Sequence, residues 1–164
     1  MKFTILILIG LAAGFCGGCS KSENTTASSQ GAVHKHEHHP PHGGAPVELG
    51  EEEYHVEMVL DAPAGKMQAF VLDGELENFI RIAAPVLEVD AQVSGHEEKL
   101  MFHPVANAAT GEKVGDTSLF EAQADWLKTT PTFDGVLKEI TVRTKTYTNI
   151  AFNFPKGSDE GAAK

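Results

Sequence analysis

Short runs of alternating apolar and polar residues fill the chain from residue 45 to residue 155, and Gly, Pro and Asp separate them. Such period-2 alternation is typical of strands that bury one face. The clearest runs are YHVEMVLD, MQAFVLDG, LEVDAQVSG, KLMFHPV, GVLKEITVR and TYTNIAFNF. We therefore predict an all-β domain, an antiparallel β-sandwich of immunoglobulin-like type with about seven strands.

One stretch departs from this alternation. In TSLFEAQADWLKTT, Ser118 and Glu121 have the spacing of a helix capping box, and Phe120, Ala124 and Leu127 share one helical face. The pattern predicts one short helix within the sandwich.

The first twenty residues, MKFTILILIGLAAGFCGGCS, have the order of a secretory signal: Lys2, an apolar run, then small residues before a cysteine. The stretch CGGC resembles a bacterial lipobox. Cys19 follows two glycines whereas Cys16 follows bulky Phe15, so we predict a signal peptide of residues 1–18 and lipid attachment at Cys19. By the same resemblance, Ser20 indicates the outer membrane, facing the periplasm. Ordinary secretion is the alternative.

Charge and cysteine content narrow the function classes. The chain carries 13 Lys and Arg against 23 Asp and Glu, a net charge of −10. An acidic surface repels phosphate, so cations rather than nucleic acid are the expected partners. With Cys16 cleaved away and Cys19 lipidated, no thiol remains for catalysis. The segments GDTS and VSGH lack the context of a nucleophile elbow. We expect no enzymatic activity.

Residues 19–44 are dominated by Ser, Thr, His, Pro and Gly, a composition that favours a disordered tether. The domain then occupies residues 45–155, and residues 156–164 form a disordered tail. Five of the eight histidines fall within nine positions of the tether: His34, His36, His38, His39 and His42. Clustered imidazoles bind Cu(II), Zn(II) or Ni(II) without a folded cage. A solvated spacer with idle histidines is the alternative.

His55 lies on the polar face of the predicted strand YHVEMVLD, beside Glu57. We hypothesise that His42 and His55, with Glu57 as a further ligand, form a metal site at one edge of the sandwich. The alternative is a surface histidine that is hydrogen-bonded to a turn carbonyl.

The remaining histidines give weaker signals. His96 lies in the turn SGHEEK, where we expect solvent. His103 and Met101 share a strand face and could bind copper, but packing of Met101 in the core is the default expectation. Met58 and Met67 alternate with apolar neighbours and are predicted to be core residues.

The segment HHPPHGGAPVELGEEEYHVEMVLDAPAGKMQAFVLDG, with FDGVLKEITVRTKTYTNIAFNF, resembles small periplasmic His-rich lipoproteins and the domain sometimes fused to metal-efflux pump adaptor subunits. That resemblance implies a β-sandwich in a periplasmic metal context. We therefore predict a membrane-anchored lipoprotein of the cell envelope that binds transition-metal ions in metal efflux or homeostasis, with efflux components as candidate partners. The alternative is a non-catalytic interaction or structural domain with incidental histidines.

Overall fold

The computed structural model describes residues 39–158, which form an almost entirely β structure. Its eight strands are β1 (Ala45–Leu49), β2 (Tyr54–Asp61), β3 (Lys66–Asp73), β4 (Leu87–Val93), β5 (His96–Pro104), β6 (Leu119–Gln123), β7 (Phe133–Val142) and β8 (Lys145–Phe154). A four-residue 3₁₀ helix, Asp125–Lys128, follows β6. No helix in this part of the chain is long and apolar enough to cross a membrane.

All eight strands join edge to edge in one antiparallel sheet, in the order β1-β2-β3-β6-β5-β4-β7-β8. Short hairpins connect β1 to β2, β2 to β3, β4 to β5 and β7 to β8. Among the strands of residues 39–158, only β6 is inserted between two earlier ones. It pairs with β3 along its whole length and with β5 at His103 and Pro104.

The two ends of this sheet approach each other. After β8 the chain turns back towards β1, where the Ser158 amide donates a hydrogen bond to the Pro46 carbonyl at 3.0 Å. The Ser158 hydroxyl accepts another from the Glu48 amide, also at 3.0 Å. A side chain at Gly157 would collide with the Pro46 carbonyl, so this close approach requires glycine. The sheet is therefore nearly closed, a sandwich- or barrel-like arrangement.

One main core fills the inside of the curled sheet. Its largest fully buried members include Phe102, Phe120, Met58, Met67, Leu49, Leu87, Leu100, Leu127, Leu137 and Ile140. Burial at ~25 cal/mol per Å² of apolar surface makes such a core the main source of stability. The expected core positions of Met58 and Met67 are confirmed.

The predicted all-β, antiparallel architecture is confirmed at this level, with eight strands rather than about seven. The immunoglobulin-like comparison needs correction, because β2 lies beside β3, whereas the second strand of an immunoglobulin sandwich lies beside the fifth. The predicted helix is also corrected. Ser118 lies before a strand, Glu121 lies within β6, and only the 3₁₀ helix at Asp125–Lys128 remains.

Contacts of the folded part reach beyond residues 45–155 in both directions. His42 and Gly44 are hydrogen-bonded to β2, and Ser158 is hydrogen-bonded to β1. The predicted signal peptide, residues 19–38 of the tether and residues 159–164 of the tail lie outside the described residues.

Candidate functional site

The carboxyl group of Glu57 is completely buried on the outer face of β2. Its strand neighbours Val56 and Met58 point into the main core, so alternation places Glu57 on the opposite side of the sheet. Pro46 of β1 and Phe70 of β3 flank it in register. A buried carboxyl group requires hydrogen-bonding partners, since desolvation without them costs several kcal/mol.

The partners of Glu57 come from the residues immediately before β1. Its Oε1 accepts hydrogen bonds from the His42 amide at 2.8 Å and the Gly44 amide at 2.9 Å. Its Oε2 lies 2.8 Å from Nδ1 of the His42 ring. One side chain thus binds the entering chain at three points and holds it over the outer face of the sheet.

The sequence His-Gly-Gly suits this arrangement. Gly43 has a φ of 67°, and its amide donates to the Pro40 carbonyl at 3.0 Å, so the chain turns just before the sheet. A Cβ atom at Gly44 would collide with the Met58 carbonyl. Both glycines therefore allow the backbone to lie close enough for its amides to reach Glu57.

The His42 ring is held in place on its flat side as well. It stacks on Phe70 with ring centroids 3.9 Å apart and an interplanar angle of 16°, and Phe79 lies 5.8 Å away. The His42 side chain nevertheless keeps 37% of its surface exposed. The imidazole is fixed in position and open to solvent at the same time.

The hydrogen bond to Glu57 also selects a tautomer. With an ionised Glu57, which only accepts hydrogen bonds, His42 Nδ1 is the donor in this contact. In the neutral ring, the lone pair then lies on Nε2, the other nitrogen. Histidine ligands of metal ions commonly have this arrangement, in which a carboxylate orients the ring and raises its basicity. The His42 ring therefore has the orientation that such ligands have.

His55 does not join this pair. His55 is 3% exposed, and its Nδ1 lies 3.4 Å from the carbonyl of Asp73, the last residue of β3. The structure brings His42 and Glu57 of the hypothesised joint site into contact, and metal binding there stays a prediction. Within residues 39–158, no group of three or more His, Cys, Asp or Glu side chains is placed to hold a metal ion.

The sequence also singled out residues elsewhere in the chain. His39 and His96 are exposed, whereas His34, His36, His38 and Cys19 lie outside the described residues. His103 is exposed on β5, and Met101 is 40% exposed, so the expected core packing of Met101 is wrong. Sequence reasoning missed Phe70 and the depth at which Glu57 lies. The His-Gly-Gly turn was the available signal for a close approach.

A separate groove of about 720 Å³ lies between residues 81–88 and the second half of β7. Strand β4 pairs with β7 from Val89 to Gln92. The groove lies beyond that paired region, where residues 81–88 and β7 separate. Its lining mixes apolar side chains such as Ile82 and Ile140 with the charged residues Arg81, Glu88, Lys138, Glu139 and Arg143. A second concave surface, of about 500 Å³, lies beside β4, β7 and β8.

Comparison of the chain with protein-family models, curated proteins and solved structures finds no match in any of the three.

Proposed function

We propose that this protein is a non-catalytic, lipid-anchored module of the cell envelope that binds transition-metal ions through its His-rich segment, with His42 as a ligand that Glu57 orients. The observation that carries the proposal is the contact between His42 Nδ1 and buried Glu57. That contact leaves Nε2 as the metal-binding nitrogen.

A single imidazole binds a metal ion weakly, so further ligands are needed. His34, His36, His38 and His39 precede His42 by eight residues or fewer and supply imidazoles at high local concentration. Imidazole nitrogen suits Cu(II), Zn(II) and Ni(II). A site made of several imidazoles binds these ions without strong selectivity among them.

The cellular setting of the proposal follows from the lipobox-like stretch before Cys19. Lipid attachment there places the module at the outer membrane, facing the periplasm, where metal-efflux components are its candidate partners. Partitioning into detergent tests the anchor. Cys19→Ser releases a soluble or uncleaved form, whereas Cys16→Ser leaves the mature product unchanged. Loss of membrane association in the Cys16→Ser variant alone contradicts this cleavage site.

Calorimetric titration of Zn(II) or Cu(II) into the full chain tests the metal site, in a Cys16→Ser/Cys19→Ser background so that no thiol competes. Because imidazole must lose its proton to bind metal, binding at about pH 7.5 is largely lost near about pH 5. His42→Gln and Glu57→Gln each weaken binding by about tenfold or more. His96→Gln, which changes an exposed histidine elsewhere, leaves binding unchanged.

The alternative is an envelope interaction domain with incidental histidines, and the groove beside β7 is the observation that favours it. The same titration separates the two functions. If the parent chain binds neither ion more tightly than about 100 μM, roughly −5.5 kcal/mol, the interaction domain is preferred. If His42→Gln has no effect while binding is tight, the fixed ligand has been misassigned.

A further inference from the structure

Strand β5 presents a thioether and an imidazole side by side on its outer face. Met101 is 40% exposed and His103 is also exposed, while the intervening Phe102 and the preceding Leu100 are buried in the core. A single exposed methionine is ordinary on a protein surface. The significance of Met101 lies in its neighbour, because His103 is two residues along the same strand face.

The spacing of this pair allows both side chains to reach one ion. Residues i and i+2 of a strand lie about 6.6 Å apart and point the same way. The three rotatable bonds of a methionine side chain let its sulfur move towards a neighbour. Strand β5 pairs with β6 only at His103 and Pro104. Met101 therefore lies where the two strands separate.

The charged groups around the pair already have partners. Glu88, opposite Met101, is ion-paired with Lys99, which also contacts Asp90 at 3.0 Å. Glu121, opposite His103, contacts Lys66 at 3.0 Å. The two lysine charges are thus compensated, and the carboxylates are engaged. The donors that remain are the neutral thioether and the imidazole.

The geometry points to Met101 and His103 as a second binding site, for a soft monovalent ion of the Cu(I) class. Thioether sulfur selects soft ions, and two neutral donors suit a single positive charge. This site uses no residue of the His-rich segment and does not include His42 or Glu57. It stands independently of the proposed function and adds an ion class that imidazoles alone do not select.

Silver(I) is the probe for this site, because it has the charge and softness of Cu(I) and does not change oxidation state in air. The experiment uses the full chain in nitrate buffer without halide. Cys16 and Cys19 are replaced by Ser, and His34, His36, His38 and His39 by Gln, so that these groups do not compete. The readout is the methyl signal of each methionine in carbon-13 NMR.

Silver(I) is expected to shift the Met101 methyl signal at stoichiometric amounts, while the buried Met58 and Met67 signals stay in place. His103→Gln should raise the silver concentration needed for half the shift by about tenfold or more, because the second donor is lost. His96→Gln is the matched control, since His96 is exposed on the same strand but lies an odd number of residues from Met101 and His103, on the opposite strand face.

Two results overturn the assignment. The first is a Met101 signal that silver leaves unmoved, and the second is a His103→Gln variant that responds like its parent. Zn(II) binding that depends on His42 would persist in either case, so failure here is distinguishable from failure of the proposed function.

Discussion

The Tyr147 hydroxyl donates a hydrogen bond to Oε2 of Glu53 at 2.6 Å, although the two residues lie 94 positions apart. Lys145 forms an ion pair with the same carboxylate. The contact joins the turn before β2 to β8 and so connects the first hairpin of the sheet to the last. Burial and the contact with Glu53 raise the pKa of Tyr147 to about 12, and hydrogen bonds from Lys145 and Tyr147 lower the pKa of Glu53.

Replacing Glu53 with Gln should lower the pKa of Tyr147 from about 12 towards its usual value of 10.0, without reaching it, because the ring remains buried. When folding raises the pKa of a tyrosine, the resulting stability is fully present below the pKa of the unfolded chain. It is lost as the pH rises through the pKa of the folded chain. The parent chain should therefore lose stability between about pH 10 and 12. The ring carbon-13 signal of Tyr147 measures its titration. An unchanged pKa in Glu53→Gln would contradict the contact.

A second prediction concerns Glu112, whose Oε1 accepts hydrogen bonds from the Ser118 amide at 2.8 Å and the Ser118 hydroxyl at 2.6 Å. Burial raises the pKa of Glu112, but bonds from Ser118 and Thr110 and the charge of Arg81 outweigh burial, so the pKa lies below its usual 4.5. The ionised Glu112 carboxylate therefore stabilises the fold above about pH 4.5, and this stability is lost as the pH falls through the lowered pKa of the folded chain.

Glu112→Gln should therefore reduce the free energy of unfolding by about 1–2 kcal/mol at neutral pH. The difference from the parent should shrink as the pH falls below about 4.5, and it should be smallest below the lowered pKa of folded Glu112, where both chains are neutral at this position. Urea unfolding at several pH values provides the measurement, with the exposed Glu51→Gln as control. A difference that stays constant down to about pH 3 would mean that shape rather than charge is responsible.

The hairpin of β2 and β3 was predictable from sequence because its signals are local. YHVEMVLD coincides with β2, Tyr54–Asp61, and the Pro- and Gly-containing turn lies where expected. Strand β6 was not predictable in this way. Its five residues LFEAQ are too few to display alternation, and its strand conformation depends on pairing with β3, which is distant in sequence. The helical spacing of Phe120 and Leu127 reflects burial in two different elements.

The candidate site was predictable in its residues but not in its burial. His42, His55 and Glu57 were all selected from sequence, yet β2 was expected to expose its polar face. Both faces are covered there, because residues 42–44 fold over Glu57. The apolar–polar pattern of a strand does not reveal that another segment of the chain covers its polar face. His55 also looked accessible from the strand pattern and is buried, with its Nδ1 3.4 Å from the Asp73 carbonyl.

Gly135 provides a third prediction, because it lies opposite Phe152 in the pairing of β7 with β8. A Cβ atom at this position would lie 2.5 Å from Cζ of the Phe152 ring. Gly135→Ala should therefore destabilise the domain by about 1–3 kcal/mol, although Gly-to-Ala changes in strands otherwise favour folding. In a Phe152→Leu background the cost should fall by about 1 kcal/mol or more. If the free-energy changes of the two substitutions simply add in this double-mutant cycle, the Phe152 ring is not what makes Gly135→Ala destabilising.

The fourth prediction separates the stabilising role of Glu57 from its effect on His42. Glu57→Ala leaves the His42 and Gly44 amides without their acceptor and should cost about 2–3 kcal/mol. In Glu57→Gln, one amide oxygen can still accept from both backbone groups, so about 1 kcal/mol is expected. Thermal or urea unfolding of both variants tests this order. Equal losses would mean that the backbone amides do not depend on the Oε1 position.

The last prediction concerns the tautomer of His42 in the same Glu57→Gln variant. The glutamine NH₂ group donates where the carboxylate Oε2 accepted, so His42 Nδ1 must become an acceptor and the ring proton moves to Nε2. Nitrogen-15 signals of the ring should show protonated Nδ1 in the parent and protonated Nε2 in the variant. The variant thereby places a proton on Nε2, the nitrogen proposed to bind metal, while the sheet stays folded. Its loss of Zn(II) affinity should accompany the change of tautomer. Lost affinity with an unchanged tautomer would show that charge, rather than orientation of the ring, is what Glu57 contributes.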